Sequence, residues 1–339
     1  MTSDRAELIE RFLQQAGWGS ARISPLAGDA SNRRYLRLAG PQGAAVLMDA
    51  PPETGEDTRP FERMTHWLRE QGLSAPAVLA SDADAGFLLL EDLGDDLYSA
   101  HIQQQPQDET ALYSAAVRLL VDLADRDVPG WLPTYDAAVL DREARLFVEW
   151  WLPAACDADT SSDDADAFSK LTEGATRAVQ HSRETVVLRD YHAENLIWLP
   201  ERNGHAKVGL LDYQDALAGH PAYDLVSLLE DARRDTSDTL QEAMIEHYLA
   251  ERPDLRRDEF LHAYAALGAQ RNLKIIGIFA RLALRDGKPR YLSMIPRVWG
   301  HLMRDLRHPE LSALRDWVLE KSPEPSQDVL SRIAAQVVA

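Results

Sequence analysis

Two hydrophobic periodicities divide this chain. Residues 4–17 repeat apolar positions at helical spacing, with Leu8, Phe12 and Leu13 on one face and Gly17 placed to end the helix. The pattern then turns to period two. Ile23 and Leu26, then Tyr35, Leu36 and Leu38, then Val46, Leu47 and Met48 predict strands around the turn Pro41-Gln42-Gly43. Residues 60–68 (PFERMTHWL) begin a helix with Pro near its first position. Val78-Leu79-Ala80 and residues 87–90 (FLLL) predict two more strands, joined by the acidic turn 81–86. Residues 91–95 (EDLGD) make a polar, glycine-bearing crossing, after which the helical period dominates: 109–126, 140–151, 164–182, 222–233, 236–250, 257–272 and 274–285 all suit helices. Short β-rich runs interrupt them at 185–188 (TVVL), 196–199 (LIWL) and 208–211 (VGLL), with a turn at 201–205. The pattern holds no internal repeat. It predicts an α+β chain of two lobes with a cleft between them: a small β-rich lobe over 1–92 and a larger, mainly helical lobe over 93–339.

Composition narrows the class. With 339 residues, 45% of them hydrophobic and 8 Trp, the chain has ample material for packed cores. Its 36 basic residues against 55 acidic ones leave a formal net charge of −19. Wholesale binding to nucleic acid or an anionic membrane is therefore not expected, and an anionic ligand needs a local basic cluster working against the global field. A single cysteine, Cys156, excludes a disulfide framework and fits a reducing cytoplasm. The first residues lack the basic and apolar regions of a signal peptide, and no run of 18 apolar residues occurs. Residues 157–164 (DADTSSDD) read as an acidic loop without a chemical role.

The candidate chemistry lies among the short strands. Residues 188–195 (LRDYHAEN) carry Asp190-x4-Asn195, and Asp212 follows seventeen residues after Asn195. Strand, loop, strand, turn and strand would set Asp190, Asn195 and Asp212 at one edge of a small sheet. Phosphoryl transfer from ATP asks for such a set: one carboxylate to orient and deprotonate the attacking hydroxyl, an amide and a second carboxylate to hold the metal on the phosphates. A hairpin with solvated acidic ends fits the same residues. Further signals are weaker singly. Residues 28–36 (GDASNRRYL) form a loop whose small residues let backbone N–H groups reach phosphate, with Arg33 and Arg34 as added charge; an ordinary hairpin reads the same way. At Glu91 and Leu93, backbone groups could meet an adenine ring, or the segment is a linker. Asp224 suits an N-cap or a buried brace for the loop backbone. Trp150 and Trp151 suit core, or, with Glu149, a sugar-stacking wall. Arg271 and Lys274 lie one turn apart, an anion-binding pair or a surface ion pair. His192 suits loop shaping or the edge of a substrate, and the histidines show no metal-binding spacing.

Taken in order, residues 28–32 (GDASN), 91–94 (EDLG), Asp190-x4-Asn195, residues 212–215 (DYQD) and Tyr223-Asp224 resemble the aminoglycoside phosphotransferase-like small-molecule kinases, over nearly the whole chain. Within that superfamily the chain is similar to the bacterial anomeric N-acetylmuramate/N-acetylglucosamine kinases of cell-wall recycling. Residues 29–35 (DASNRRY), 46–52 (VLMDAPP), 86–90 (GFLLL), 147–150 (FVEW) and above all 270–292 (QRNLKIIGIFARLALRDGKPRYL) carry this likeness. The resemblance implies a protein-kinase-like fold, Mg2+ and ATP, and a sugar 1-phosphate product; a cytoplasmic monomer is expected. It makes Asp190 the catalytic base and Asn195 and Asp212 the magnesium ligands. Ala30, Ser31, Asn32, Arg33, Glu91 and Leu93 become nucleotide contacts, and Glu149, Trp150, His192, Arg271 and Lys274 sugar contacts. Two departures stand out. Leu188 replaces the histidine usual two residues before the aspartate. The third strand, Val46-Leu47-Met48-Asp49, lacks the phosphate-binding lysine, which leaves Glu62 without an evident partner and Arg33, Arg34 or Arg37 as substitutes. A kinase of the same fold acting on an aminoglycoside, choline, homoserine or another sugar is the alternative, and a nucleotide-binding pseudokinase a more distant one.

Overall fold

The structure, a computed structural model, describes residues 3–26 and 32–337; Gly28, Asp29, Ala30 and Ser31 of the candidate phosphate loop lie outside the described residues. Its strands are β1 (Arg22–Pro25), β2 (Arg34–Gly40), β3 (Gly43–Asp49), β4 (Val78–Asp82), β5 (Phe87–Glu91), β6 (Thr185–Val187), β7 (Leu196–Trp198), β8 (Val208–Leu210) and β9 (Leu217–Gly219). The chain divides into two compact units, Met1–Ala115 with Ala193–Asp215, and Ala116–His192 with Ala216–Ala339.

The first unit is built on an antiparallel sheet in the order β1-β2-β3-β5-β4. Leu38, Ala45, Leu47, Phe87 and Leu89 pack against Ile9, Phe12 and Leu13 of the helix Ser3–Gln15 and against Trp18. Alternation along β2 and β3 sends these residues to one face, the period-two rule at work. The helix Arg59–Glu70 buries Phe61, Met64, Thr65 and Leu68. Phe61 stacks on Tyr213, with ring centroids 5.0 Å apart, and the Thr65 hydroxyl hydrogen-bonds the Tyr213 hydroxyl at 2.6 Å. Tyr213 so ties the returning segment to this unit. The segment itself is the β7–β8 hairpin.

The second unit is helical. The predicted helices 257–272 and 274–285 are one 28-residue helix, Arg257–Leu284, because Leu273 at their junction is an ordinary buried helix residue and no breaker separates them. The predicted helix 140–151 is instead the helix Ala137–Ala144 followed by a π-helical turn, Phe147–Trp151. The cause is packing: Gly277 of the long helix meets the Leu146–Phe147 backbone so closely that a Cβ there would lie 2.2 Å from the Leu146 carbonyl carbon. The residues 157–164 do not form one loop, since Ser161 caps the helix Ser162–Thr176 and accepts from the Asp164 N–H. The small sheet also differs from expectation. β6 pairs with β9, a strand the pattern does not mark, while β7 pairs with β8, so the three β-rich runs around the motif do not share a sheet. Among the described residues no helix is long and apolar enough to cross a membrane.

Candidate active site

Asp190 follows β6 on a loop held from behind. The residue before it, Arg189, has φ 72°, in the left-handed region that favours glycine. Three partners keep it there. The Asp224 carboxylate accepts from the N–H of Leu188 at 2.6 Å and of Arg189 at 2.9 Å. The Ser227 hydroxyl donates to the Arg189 carbonyl at 3.0 Å. The Arg189 guanidinium forms a close ion pair with Glu143. Burial pushes the Asp224 carboxyl up to about 7, against the two N–H donors that favour its ionised form. Leu188 is buried and contributes apolar packing and a backbone donor, so the brace that a histidine side chain would provide comes here from Asp224.

Glu143 is a hub. Besides Arg189 it takes Lys274 Nζ at 3.2 Å and a short hydrogen bond from Tyr135, whose hydroxyl lies 3.1 Å from that of Tyr223. Burial alone would raise its carboxyl, yet Lys274 and Arg189 hold it below the ordinary range. Burial likewise pushes the Asp190 carboxyl up, but Lys274 first, then His192, Arg189 and Arg271, outweigh that and leave it lowered, so Asp190 is ionised at neutral pH. An ionised carboxylate is what a proton acceptor for a hydroxyl needs. His192 is driven down to about 4 by burial, and its Nε2 lies 3.2 Å from Arg233 Nη1. It therefore stands as a neutral imidazole accepting at Nε2, a loop-shaping arrangement.

Asn195 and Asp212 lie at one end of the β7–β8 hairpin, where the Leu211 N–H donates to the Asn195 carbonyl at 3.0 Å. Asp212 also has a left-handed backbone, φ 56°, and its Oδ1 accepts from Gln214 Nε2 at 2.9 Å. One amide oxygen and one carboxylate are hard donors and too few for an all-protein cage. They fit magnesium, which keeps waters and takes its remaining ligands from phosphates. Among the described residues there is no group of three or more His, Cys, Asp or Glu arranged for a metal.

The remaining candidates divide by environment. Arg271 is buried and donates to the Ser227 hydroxyl at 2.9 Å and the Glu230 carbonyl at 3.4 Å, which puts it in the support of the Arg189 peptide. Glu149 is exposed and pairs with Arg145 at 3.5 Å, and Trp150 packs half-buried on the core that encloses Trp151. In the first unit Asn32 is exposed. The Glu91 N–H donates to the Ala77 carbonyl, and its carboxylate takes Arg202 at 2.6 Å and Arg69 at 3.2 Å; Leu93 is half-buried just beyond. Arg33 pairs with Glu56 at 2.7 Å and reaches to 3.9 Å from Asp212. Sequence reasoning passed over Glu143, Ser227 and Glu56, which meet their partners only through folding. For Arg189 a signal was present: a long side chain immediately before the motif aspartate.

An ionised aspartate on a clamped loop, and an amide and a carboxylate on a hairpin end, are residue types that phosphoryl transfer calls for. The chain belongs to the phosphotransferase enzyme family, whose model matches residues 22–261, and it is an ATP-dependent kinase. The N-acetylmuramate/N-acetylglucosamine kinase of Caulobacter vibrioides is 42% identical to it, over 94% of this chain and 96% of its own. A protein of that name from Pseudomonas aeruginosa is 37% identical over 91% of each. Among solved structures, choline kinase LicA from Streptococcus pneumoniae superposes with a TM-score of 0.64 at 12% identity, over 89% of this chain and 100% of its own. ADP-bound aminoglycoside phosphotransferase APH(2'')-Ib does so with 0.60 at 12%, over 90% and 99%. At such identities the likeness is one of fold, and the α+β kinase-like fold read from the sequence is the fold of this chain.

Proposed function

We propose that the chain transfers the γ-phosphoryl group of ATP to the anomeric hydroxyl of N-acetylmuramate, N-acetylglucosamine or both, yielding the sugar 1-phosphate and ADP in peptidoglycan recycling. The observation that carries this reading is the 42% identity over 94% of the chain to a kinase named for those two sugars. In functional terms, residues 1–92 serve the nucleotide and residues 93–339 carry the catalytic loop and the sugar site. The enzyme works in the cytoplasm as a monomer on small molecules, with no nucleic-acid or membrane partner.

The anomeric oxygen attacks the γ-phosphorus, forming the new O–P bond as the bond to the β-phosphate oxygen breaks and ADP departs with that electron pair. The hydroxyl proton passes to the Asp190 carboxylate. An anomeric hydroxyl is more acidic than an ordinary alcohol, so a base of modest strength suffices. Asn195 and Asp212 would hold magnesium, which supplies charge neutralisation on the phosphates when bound. The backbone of Ala30, Ser31 and Asn32, with Arg33, would serve the phosphates, and Glu91 and Leu93 the adenine. Glu149, Trp150 and His192 would line the sugar. Lys274, Arg189 and the buried Arg271 stand against Glu143 and Asp190, three positive charges to two, and this surplus would draw a lactyl carboxylate.

The test is direct. Purified protein with Mg–ATP and a panel of N-acetyl sugars, choline and an aminoglycoside is followed by ADP release and phosphorus NMR. An anomeric phosphate resonance from an N-acetyl sugar is expected. Turnover confined to another acceptor would sink the sugar assignment. Asp190→Asn should lower kcat by about a hundredfold or more while nucleotide still binds; a near-normal rate would remove Asp190 as the base.

A further inference from the structure

Kinase-like folds place a lysine on the third strand against the α- and β-phosphates and orient it with a glutamate from the next helix. This chain has the opposite charge there. β3 ends in Asp49, which is fully buried and saturated: Arg5 donates to its Oδ1 through Nε at 3.0 Å and Nη2 at 2.6 Å, and Arg34 closes on Oδ2. Arg34 is thereby committed to the strand. Arg37 is committed too, to Asp92 at 2.7 Å and Asp95 at 2.6 Å. Glu62, on the helix that follows, makes no ion pair among the described residues.

Arg33 differs from both. It stands where the candidate phosphate loop enters β2, its side chain only 14% exposed. Its Nε donates to Glu56 Oε2 at 2.7 Å, and its Nη1 lies 3.9 Å from Asp212 Oδ1. Glu56 is as enclosed as its partner and sits in the loop between the turn Pro52–Thr54 and the helix Arg59–Glu70. A guanidinium fixed through Nε keeps its terminal nitrogens for a second partner, and that planar fork suits two phosphate oxygens.

We infer that Arg33, oriented by Glu56, is the phosphate clamp of this kinase and does the work of the missing strand lysine and its glutamate. The inference deepens the nucleotide reading of the site and rests on it. It requires no acceptor, so it is tested by binding alone. Isothermal titration of ADP and of adenosine into wild type, Arg33→Met, Arg33→Lys and Glu56→Gln separates the possibilities. Arg33→Met should weaken ADP by about tenfold or more and leave adenosine within about twofold, since only ADP carries the phosphates. Arg33→Lys should recover part of the loss. Glu56→Gln should show a smaller, ADP-selective loss, and it tests the pair even where Arg33→Met does not fold. ADP affinity within twofold of wild type in Arg33→Met or, failing that variant, in Glu56→Gln would overturn the clamp alone. Equal losses for ADP and adenosine would overturn it as a phosphate contact. A wild type that binds no ADP would overturn the nucleotide reading and the clamp with it.

Discussion

At the scale of single residues, Arg189 is the informative position. A side chain in the left-handed region costs about 1–2 kcal/mol, and glycine would avoid that cost. The chain keeps arginine, bonded at its N–H by Asp224, at its carbonyl by Ser227 and at its guanidinium by Glu143. Strain held by three partners fixes the direction of the next residue, Asp190. Arg189→Gly relieves the backbone but removes the anchor to Glu143, leaving the peptide held by Asp224 and Ser227 alone. Steady-state kinetics should show kcat reduced by about tenfold or more with the KM for ATP within about twofold, because a small displacement of Asp190 as the proposed base would cost rate before it costs binding. Wild-type kcat would mean that Asp224 and Ser227 suffice. The motif residues Asp190, Asn195 and Asp212 could be picked out from their spacing because phosphoryl transfer calls for those side-chain types. The partners that orient them could not, because Glu143 precedes Arg189 by 46 positions and no local pattern links the two.

At the scale of elements, periodicity located most helices and strands up to residue 285, misjudged some ends and junctions, and left the helices Tyr98–Gln104, Ile295–Asp305, Ser312–Lys321 and Gln327–Val337 unread. The two predicted helices after residue 257 proved continuous because nothing between Asn272 and Lys274 breaks a helix. β9 escaped notice because Leu217, Ala218 and Gly219 are too few and too small to show a period, and the strand exists because β6 pairs with it. The π-helical turn Phe147–Trp151 likewise owes its form to a neighbour, Gly277 of the long helix. In an exposed helix, glycine to alanine gains about 1 kcal/mol. Here the new methyl would meet backbone atoms of Leu146 and Phe147 at 2.2–2.6 Å, which cannot rotate aside. Gly277→Ala should therefore lose about 1–3 kcal/mol in urea unfolding, the scale of overpacking a core. A stabilised variant would show that the π turn yields freely.

At the scale of the whole molecule, charge works against the anionic ligands proposed for it. A net charge of −19 repels both ATP and an acidic sugar, while the local set of Arg189, Lys274 and Arg271 against Glu143 and Asp190 is positive by one. Salt screens the long-range repulsion more than an enclosed local attraction. With ATP saturating, raising ionic strength from about 0.05 to 0.5 M should lower the KM for N-acetylmuramate by about twofold or more and leave that for N-acetylglucosamine nearly unchanged. A rise for the acidic sugar would make the local attraction, not the global field, the larger effect.

The sequence by itself determined the fold class, most of the strands and helices up to residue 285, and the residue types that phosphoryl transfer calls for. These depend on local periodicity and on side-chain chemistry, which the linear chain displays. Tertiary structure alone decided which charges meet. It gave Asp49 to Arg5 and Arg34, Glu56 to Arg33, and Glu143 to Arg189 and Lys274. It also turned Arg271 inward to support a peptide. An ion pair depends on distance in space and on burial, and neither is a property of spacing along the chain.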